Sequence, residues 1–244
     1  MNTLEERPPS ELAADEILIC KICLAGPAPV ESSEILGPGE RERAAGFHLP
    51  ADQIRYVQAH VALRRILGAL VGSPPAALTF STNNWGKPAL VQVPGPCLLH
   101  FNLAHARDLA LVALTRLAPL GVDLEWIDAS LTAFEKLREF VPAAPSFAGS
   151  ISEQRLAFYR SWVGGEAMAK ADGRGLSALP AAGDYRTFDF TPENGYVACV
   201  ALPKAASSKA HLRFLDRDDA SWPFLSAYCA PLSRSAETHA FFAP

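Results

Sequence analysis

Asp123 and Glu125 stand at alternate positions of a short apolar run, Leu120-Gly121-Val122-Asp123-Leu124-Glu125-Trp126. Further along the chain, Glu166 precedes Lys170 by four positions. In a strand, residues two apart face the same way, roughly 7 Å from each other along the chain, so the two acids would share one face while Val122 and Leu124 turn inward. In a helix, residues at i and i+4 lie one above the other, which stacks Glu166 on Lys170. Brought together, the two pieces would surround one spot with three carboxylates and an ammonium. A hard divalent cation carrying a polyphosphate needs that combination: oxygen ligands for the metal and a point charge for the remaining phosphate charge. Each fragment also has a plainer reading. A half-exposed strand alternates in the same way, and Glu-x-x-x-Lys is a common pair on helix surfaces.

The elements that would position these residues are legible from periodicity. Apolar residues Ile54, Val57, Val61, Leu63, Ile66, Leu67 and Leu70 recur at threes and fours, which predicts a helix over 52–71 opened by Asp52. A second long helix is expected over 152–171 and a shorter one over 130–140. Strands are expected near 16–24, 77–82, 97–101, 109–115, 185–190 and 195–202, with loose sequence over 1–12 and a Pro- and Ala-rich loop over 142–150. Arg64 lies nine residues beyond Arg55, on the opposite side of an ideal helix, and is expected to be structural or partner-facing. Residues 204–244 carry the least signal. Their aromatic patch, Trp222 to Tyr228, is expected to pack on the fold.

Five pieces occur in a fixed order: Asn84-Trp85-Gly86-Lys87-Pro88, Phe101-Asn102-Leu103-Ala104-His105, Gly121-Val122-Asp123-Leu124-Glu125, the Phe158–Lys170 segment, and Gly173-Arg174-Gly175-Leu176-Ser177. In order and spacing this series resembles the 4′-phosphopantetheinyl transferases of the Sfp type, over about residues 40 to 180. The resemblance implies an α+β fold of two pseudo-symmetric lobes, each a helix packed on a small, mostly antiparallel sheet. The lobes would span 1–118, on the nucleotide side, and 119–244, with the metal site and the carrier-protein side. It also implies a Mg²⁺-dependent enzyme that moves the phosphopantetheine arm of coenzyme A to a serine of an acyl or peptidyl carrier protein, releasing adenosine 3′,5′-bisphosphate. Such carriers serve fatty acid, polyketide or nonribosomal peptide synthesis.

Carried over residue by residue, the resemblance makes Asp123 and Glu166 the principal metal ligands and Glu125 a direct or water-mediated third. Lys170 would sit against the phosphates. Arg43, Arg55, Lys87, Asn102 and His105 would contact coenzyme A, together with Asp123 and Lys170, and Asp123, Glu166 and Lys170 would be catalytic. The chain departs from the family at three positions. Gly165 replaces a lysine before the metal-binding glutamate, Ala104 replaces a serine beside the histidine, and Ala144 falls where some members carry a proposed basic glutamate. Glu139 and Glu153 are then candidates for the proton acceptor. A catalytically weak homologue that binds coenzyme A or a carrier protein, or another Mg²⁺-dependent phosphate enzyme, are the competing readings.

The bulk properties fit this picture. The chain has 244 residues, 49% of them hydrophobic, enough for a sizeable core in one or two domains. A net charge of −4 argues against general nucleic-acid binding. There is no run of about twenty apolar residues, so no membrane span is expected, and the acidic N-terminus lacks the basic start of a signal peptide. Five cysteines, an odd number, suggest free thiols in a reducing compartment. A cytoplasmic monomer is expected. Cys20 and Cys23 lie three apart in a strand, on opposite faces, which makes a redox or zinc pair a poor reading.

Overall fold

The computed structural model describes residues 12–91, 99–130, 149–175 and 182–215. The expected helix at 130–140, the position of Ala144, Glu139, most of the 142–150 loop and the Trp222–Tyr228 patch lie outside the described residues.

Four layers are stacked in the order helix, sheet, sheet, helix. The first sheet takes its strands in the order β4-β5-β1-β9, where β1 is Glu16–Cys23, β4 His100–Ala106, β5 Leu109–Thr115 and β9 His211–Leu215. β5 runs antiparallel to both β1 and β4, while β9 joins the far edge of β1 in parallel. Period-2 alternation gives this sheet two apolar faces. Leu18, Cys20 and Ile22 of β1, with Ala110, Val112 and Leu114 of β5, face a 22-residue helix, α3 (Pro50–Val71), and bury its Ala59, Ala62, Leu63, Ile66 and Leu67. Two short helices precede it, α1 (Ser32–Ile35) and α2 (Pro38–Ala45). Ile17, Ile19, Leu111 and Ala113 face the other way.

That second face packs on the second sheet, ordered β6-β8-β7, with β6 Gly121–Trp126, β7 Tyr185–Phe190 and β8 Tyr196–Pro203, all antiparallel. Leu120, Val122 and Leu124 meet Ala198, Val200 and Leu202 there. Val197, Cys199 and Ala201 emerge on the outer face and pack against Phe158, Val163, Ala167 and Ala171 of α4 (Ile151–Asp172). A two-stranded ribbon, β2 (Phe80–Thr82) with β3 (Pro88–Leu90), carries the Asn83–Lys87 turn between its strands. The chain is thus mixed helix and small, largely antiparallel sheet, the α+β class expected of it.

Three local features differ from or sharpen the sequence reading. Arg64 is buried and structural, its Nε donating to Glu40 at 2.6 Å and its Nη1 to the carbonyls of Pro75 and Leu78. Cys20 and Cys23 are both buried, and burial pushes the Cys20 thiol up to about 12. Gly164 and Gly165 lie inside a helix, as the expected span of 152–171 requires. α4 begins thirteen residues before Gly164, at Ile151, where Ser150 caps it: Glu153 N–H donates to Ser150 Oγ, and Glu153 Oε2 accepts from Ser150 N–H at 2.7 Å.

Interior helical glycine costs about 1 kcal/mol relative to alanine, and a Cβ placed on Gly164 meets, among the described residues and beyond its own stretch of helix backbone, no heavy atom within 4 Å. Gly164→Ala is therefore expected to stabilise the fold by about 1 kcal/mol, seen as a rise of about 2–4 °C in Tm for a chain of this size. Calorimetry checks it.

Candidate active site

The acids of β6 are placed by the alternation that buries its aliphatics. Val122 and Leu124 enter the core between the sheets, so Asp123 and Glu125 turn toward α4. Strand and helix approach closely because residue 121 is glycine: a Cβ there would lie 2.0 Å from the Ala167 carbonyl oxygen and 2.5 Å from the Ala171 nitrogen. β6 is an edge strand of its sheet, and its Val122 N–H donates instead to Asn102 Oδ1 of β4 at 2.9 Å. That bond ties the two sheets together beside the acids and satisfies the acceptor of a buried amide.

Lys170 Nζ donates to Asp123 Oδ1 at 2.5 Å, joining helix to strand. Among the described residues Asp123 Oδ2 is buried with no hydrogen-bond partner. The three carboxyls are all held above their ordinary range. For Asp123 burial is the main cause, opposed by Lys170. Glu166 is raised by burial and then by the Asp123 charge. Glu125 is pushed up to about 7 by burial and by Asp123, with the Trp162 side chain donating to it in opposition. Three acids raised by burial, two of them further by the Asp123 charge, against one ammonium, form a site short of positive charge.

Among the described residues no group of three His, Cys, Asp or Glu side chains converges closely enough to enclose a metal ion. The donor chemistry nevertheless fits a hard cation: carboxylate oxygens only, one of them buried without a partner, in surroundings that resist further negative charge.

Beside the acids opens a cavity of about 250 Å³ lined by Trp85, Lys87, Asn102, Glu166, Lys170 and Gly175 among others. His105, on β4, lies within the fields of Lys170 and Arg55, and its imidazolium is disfavoured by desolvation first and then by those cations. An arriving anion would reverse the cationic part of that effect. Arg55 is held by acids, with Nε and Nη2 donating to Asp108 Oδ1 at 2.9 and 2.8 Å and Nη1 donating to Asp52 Oδ1 at 3.2 Å. Asp108 sits in the β4–β5 turn, after Arg107 in the left-handed region (φ 50°). Arg43 lines a larger cavity of about 570 Å³ with Tyr56, His60 and Glu40, and stands 5.8 Å above the Tyr56 ring. Gly86 and Pro88 form a wall common to both cavities.

Of the residues expected from sequence, Asp123, Glu125, Glu166 and Lys170 interact where β6 meets α4, Asn102 and Lys87 line the same cavity as Glu166 and Lys170, His105 lies within the fields of Lys170 and Arg55, and Arg43 faces the neighbouring cavity. The Nζ of Lys87 is directed at the carbonyl oxygens of Leu120 and Ala171. Glu153 serves the cap of α4, thirteen residues, about 20 Å of helix, before Glu166. Two contributors were not singled out by sequence: Gly121, and Trp162. The latter lies four residues before Glu166 and eight before Lys170, a shared face visible in the spacing.

Fold and site together define an α+β protein whose acids and cations converge where an edge strand meets a long helix. No protein-family model matches the chain. It is 29% identical over 218 residues to the 4′-phosphopantetheinyl transferase HetI of Nostoc sp., an alignment covering 80% of this chain and 92% of that protein. It is 32% identical over 152 residues to a putative 4′-phosphopantetheinyl transferase, slr0495, of Synechocystis sp., covering 60% of this chain and 58% of that one. With Sfp of Bacillus subtilis the identity is 27% over 143 residues, covering 58% and 62%. The chain is a homologue of the 4′-phosphopantetheinyl transferases, of the Sfp type.

Proposed function

We propose that this protein transfers the 4′-phosphopantetheine arm of coenzyme A to a serine hydroxyl of an apo acyl or peptidyl carrier protein, with adenosine 3′,5′-bisphosphate leaving. The observation that carries the reading is the meeting of Asp123, Glu125, Glu166 and Lys170 at one junction beside a cleft, in a homologue of enzymes named for this transfer. The serine oxygen bonds to the phosphorus next to the pantetheine arm, the bond from that phosphorus to the bridging oxygen breaks, and the serine proton is released. In-line displacement of this kind is accelerated chiefly by positioning and by charge placed where it develops.

Asp123, Glu125 and Glu166 would hold a Mg²⁺ ion, which when bound supplies charge neutralisation at the diphosphate. Lys170 presents an ammonium at the same junction and orients Asp123. Arg55 presents its guanidinium, shared with Asp108 and Asp52, beside the first sheet's edge, His105 would take up charge there only as the phosphates arrive, and Arg43 supplies positive potential in the adjoining cavity. Asn102 fixes the distance between the sheets. The halves 1–118 and 119–244 then act as pseudo-symmetric lobes, each one 22-residue helix on one sheet, with β9 crossing back to the first. No helix among the described residues is long and apolar enough to cross a membrane. The proposed enzyme works as a cytoplasmic monomer on carrier proteins.

The test is intact-mass measurement of several apo-carrier proteins incubated with purified protein, coenzyme A and Mg²⁺. Gain of one phosphopantetheine arm, lost when the acceptor serine is alanine, supports transfer. Coenzyme A binding without that gain would mark a binding module, and nucleotide breakdown without a carrier a hydrolase.

A further inference from the structure

The C-terminal end of α4, which carries Glu166 and Lys170 in its last two turns, is held by residues from the other half of the chain. A helix leaves its last four carbonyls without intrahelical partners and concentrates negative partial charge there. Gly173, at φ +79°, returns its N–H to the Ala169 carbonyl at 2.9 Å. The carbonyl of Ala171 receives Lys87 Nζ at 2.9 Å, and that of Gly173 receives Asn83 Nδ2 at 2.8 Å. The same Lys87 ammonium also donates to Leu120, immediately before β6, at 3.1 Å. One cation therefore ties the turn between β2 and β3 to both elements that bear the acids.

The turn is stiff enough to serve as an anchor. Asn83 Oδ1 accepts the N–H groups of Trp85 and Lys87 at 3.0 and 2.9 Å, Asn83 N–H donates to the Lys87 carbonyl at 3.1 Å, and Gly86 takes φ +85°. The fit to the helix end is close: a Cβ on Gly173 would fall 2.9 Å from Lys87 Cδ and 3.2 Å from Asn83 Nδ2.

We propose that Asn83 and Lys87 form a clamp that caps α4 across the two halves and sets the position of Glu166 and Lys170 relative to β6, which makes Lys87 a positioning residue rather than a phosphate ligand. Its dry seat is consistent with this. Burial pushes the Lys87 ammonium down to about 8, with Asp172 opposing, and a neutral amine keeps two N–H donors for the two carbonyls. The consequence for turnover rests on the transfer reading above.

Lys87→Met and Asn83→Ala in the full chain test the clamp, by steady-state kinetics with coenzyme A and a carrier and by hydrogen exchange. For Lys87→Met, kcat is expected to fall about tenfold to a hundredfold while KM for coenzyme A stays within about twofold, because a displaced helix end misplaces the reacting groups without removing a ligand contact. Amides of the last turn of α4 should exchange about tenfold faster. Asn83→Ala should move kcat and exchange in the same direction by less, and it carries the test if Lys87→Met does not fold. A rise of about tenfold in KM with kcat and exchange unchanged would make Lys87 a ligand and overturn the clamp, as would unchanged values in both variants. If the wild-type protein transfers nothing, the transfer reading fails, and the exchange comparison still decides whether Lys87 and Asn83 cap the helix.

Discussion

Asparagine in place of Asp123 is expected to lower transfer by at least about 10²–10³-fold, the scale seen when one preorganised charge-stabilising group is removed, while the protein stays folded. Asp123 is buried, and the pH dependence of stability separates a lost catalytic group from a packing defect. The sign follows from its raised folded pKa. A carboxyl that binds its proton more tightly folded than unfolded makes stability fall as pH rises from the unfolded value, 3.8 here, through the folded one. Glu125 acts in the same direction between 4.5 and about 7. Without metal these acids are therefore a cost at pH 8, and Asp123→Asn removes part of it. Calorimetry without metal at pH 8 should show a Tm no lower than wild type. Lys170, about one-third exposed, loses an ion pair of small worth. Full transfer by the variant would remove Asp123 from the site, and an unfolded variant would make it a structural residue.

Gly121→Ala is expected to be the most damaging single methyl in the described chain. Its Cβ would lie 2.0 Å from the Ala167 carbonyl oxygen, 2.5 Å from the Ala171 nitrogen and 2.8 Å from Lys170 Cβ. Two of these are backbone atoms of a helix packed on its sheet through Val163, Ala167 and Ala171, so no side-chain rotation relieves the contact. α4 must move off β6 as a body. Overpacking of this kind costs about 3 kcal/mol, a fall of about 6–12 °C in Tm. Because the same helix face carries Glu166 and Lys170, kcat should drop by about a hundredfold even where the protein remains folded. Native Tm and native turnover together would show that the strand and helix are not in this contact.

Much of this arrangement can be traced to local pattern. The 3.6-residue recurrence from Ile54 to Leu70 marks α3, and the Leu109–Thr115 run is the observed β5. The alternation of Asp123 and Glu125 with Val122 and Leu124 puts both acids on the α4 side of their strand. Other features have no local signature. β9 is a short strand whose parallel pairing with β1 joins Glu16 to His211, and nothing in His211–Leu215 names so distant a neighbour. Lys87 reads as a turn lysine, yet its partners are main-chain carbonyls, which every residue type offers alike. Arg55 has one partner in reach of pattern, Asp52 at i−3, and another, Asp108, delivered by a turn whose geometry depends on Arg107 adopting a positive φ. Gly164 and Gly165 look like a helix boundary by propensity, but burial of the flanking Val163 and Ala167 carries the helix through them.

The proposal turns on Asp123, Glu125 and Glu166 holding a divalent cation where β6 meets α4. Paramagnetic titration with Mn²⁺ in the presence of coenzyme A measures this directly, free from any choice of carrier protein. The expected result is one tightly bound ion per chain in the wild type, competed by Mg²⁺ and lost in both Asp123→Asn and Glu166→Gln. Equal Mn²⁺ binding by the wild type and the two variants would contradict it.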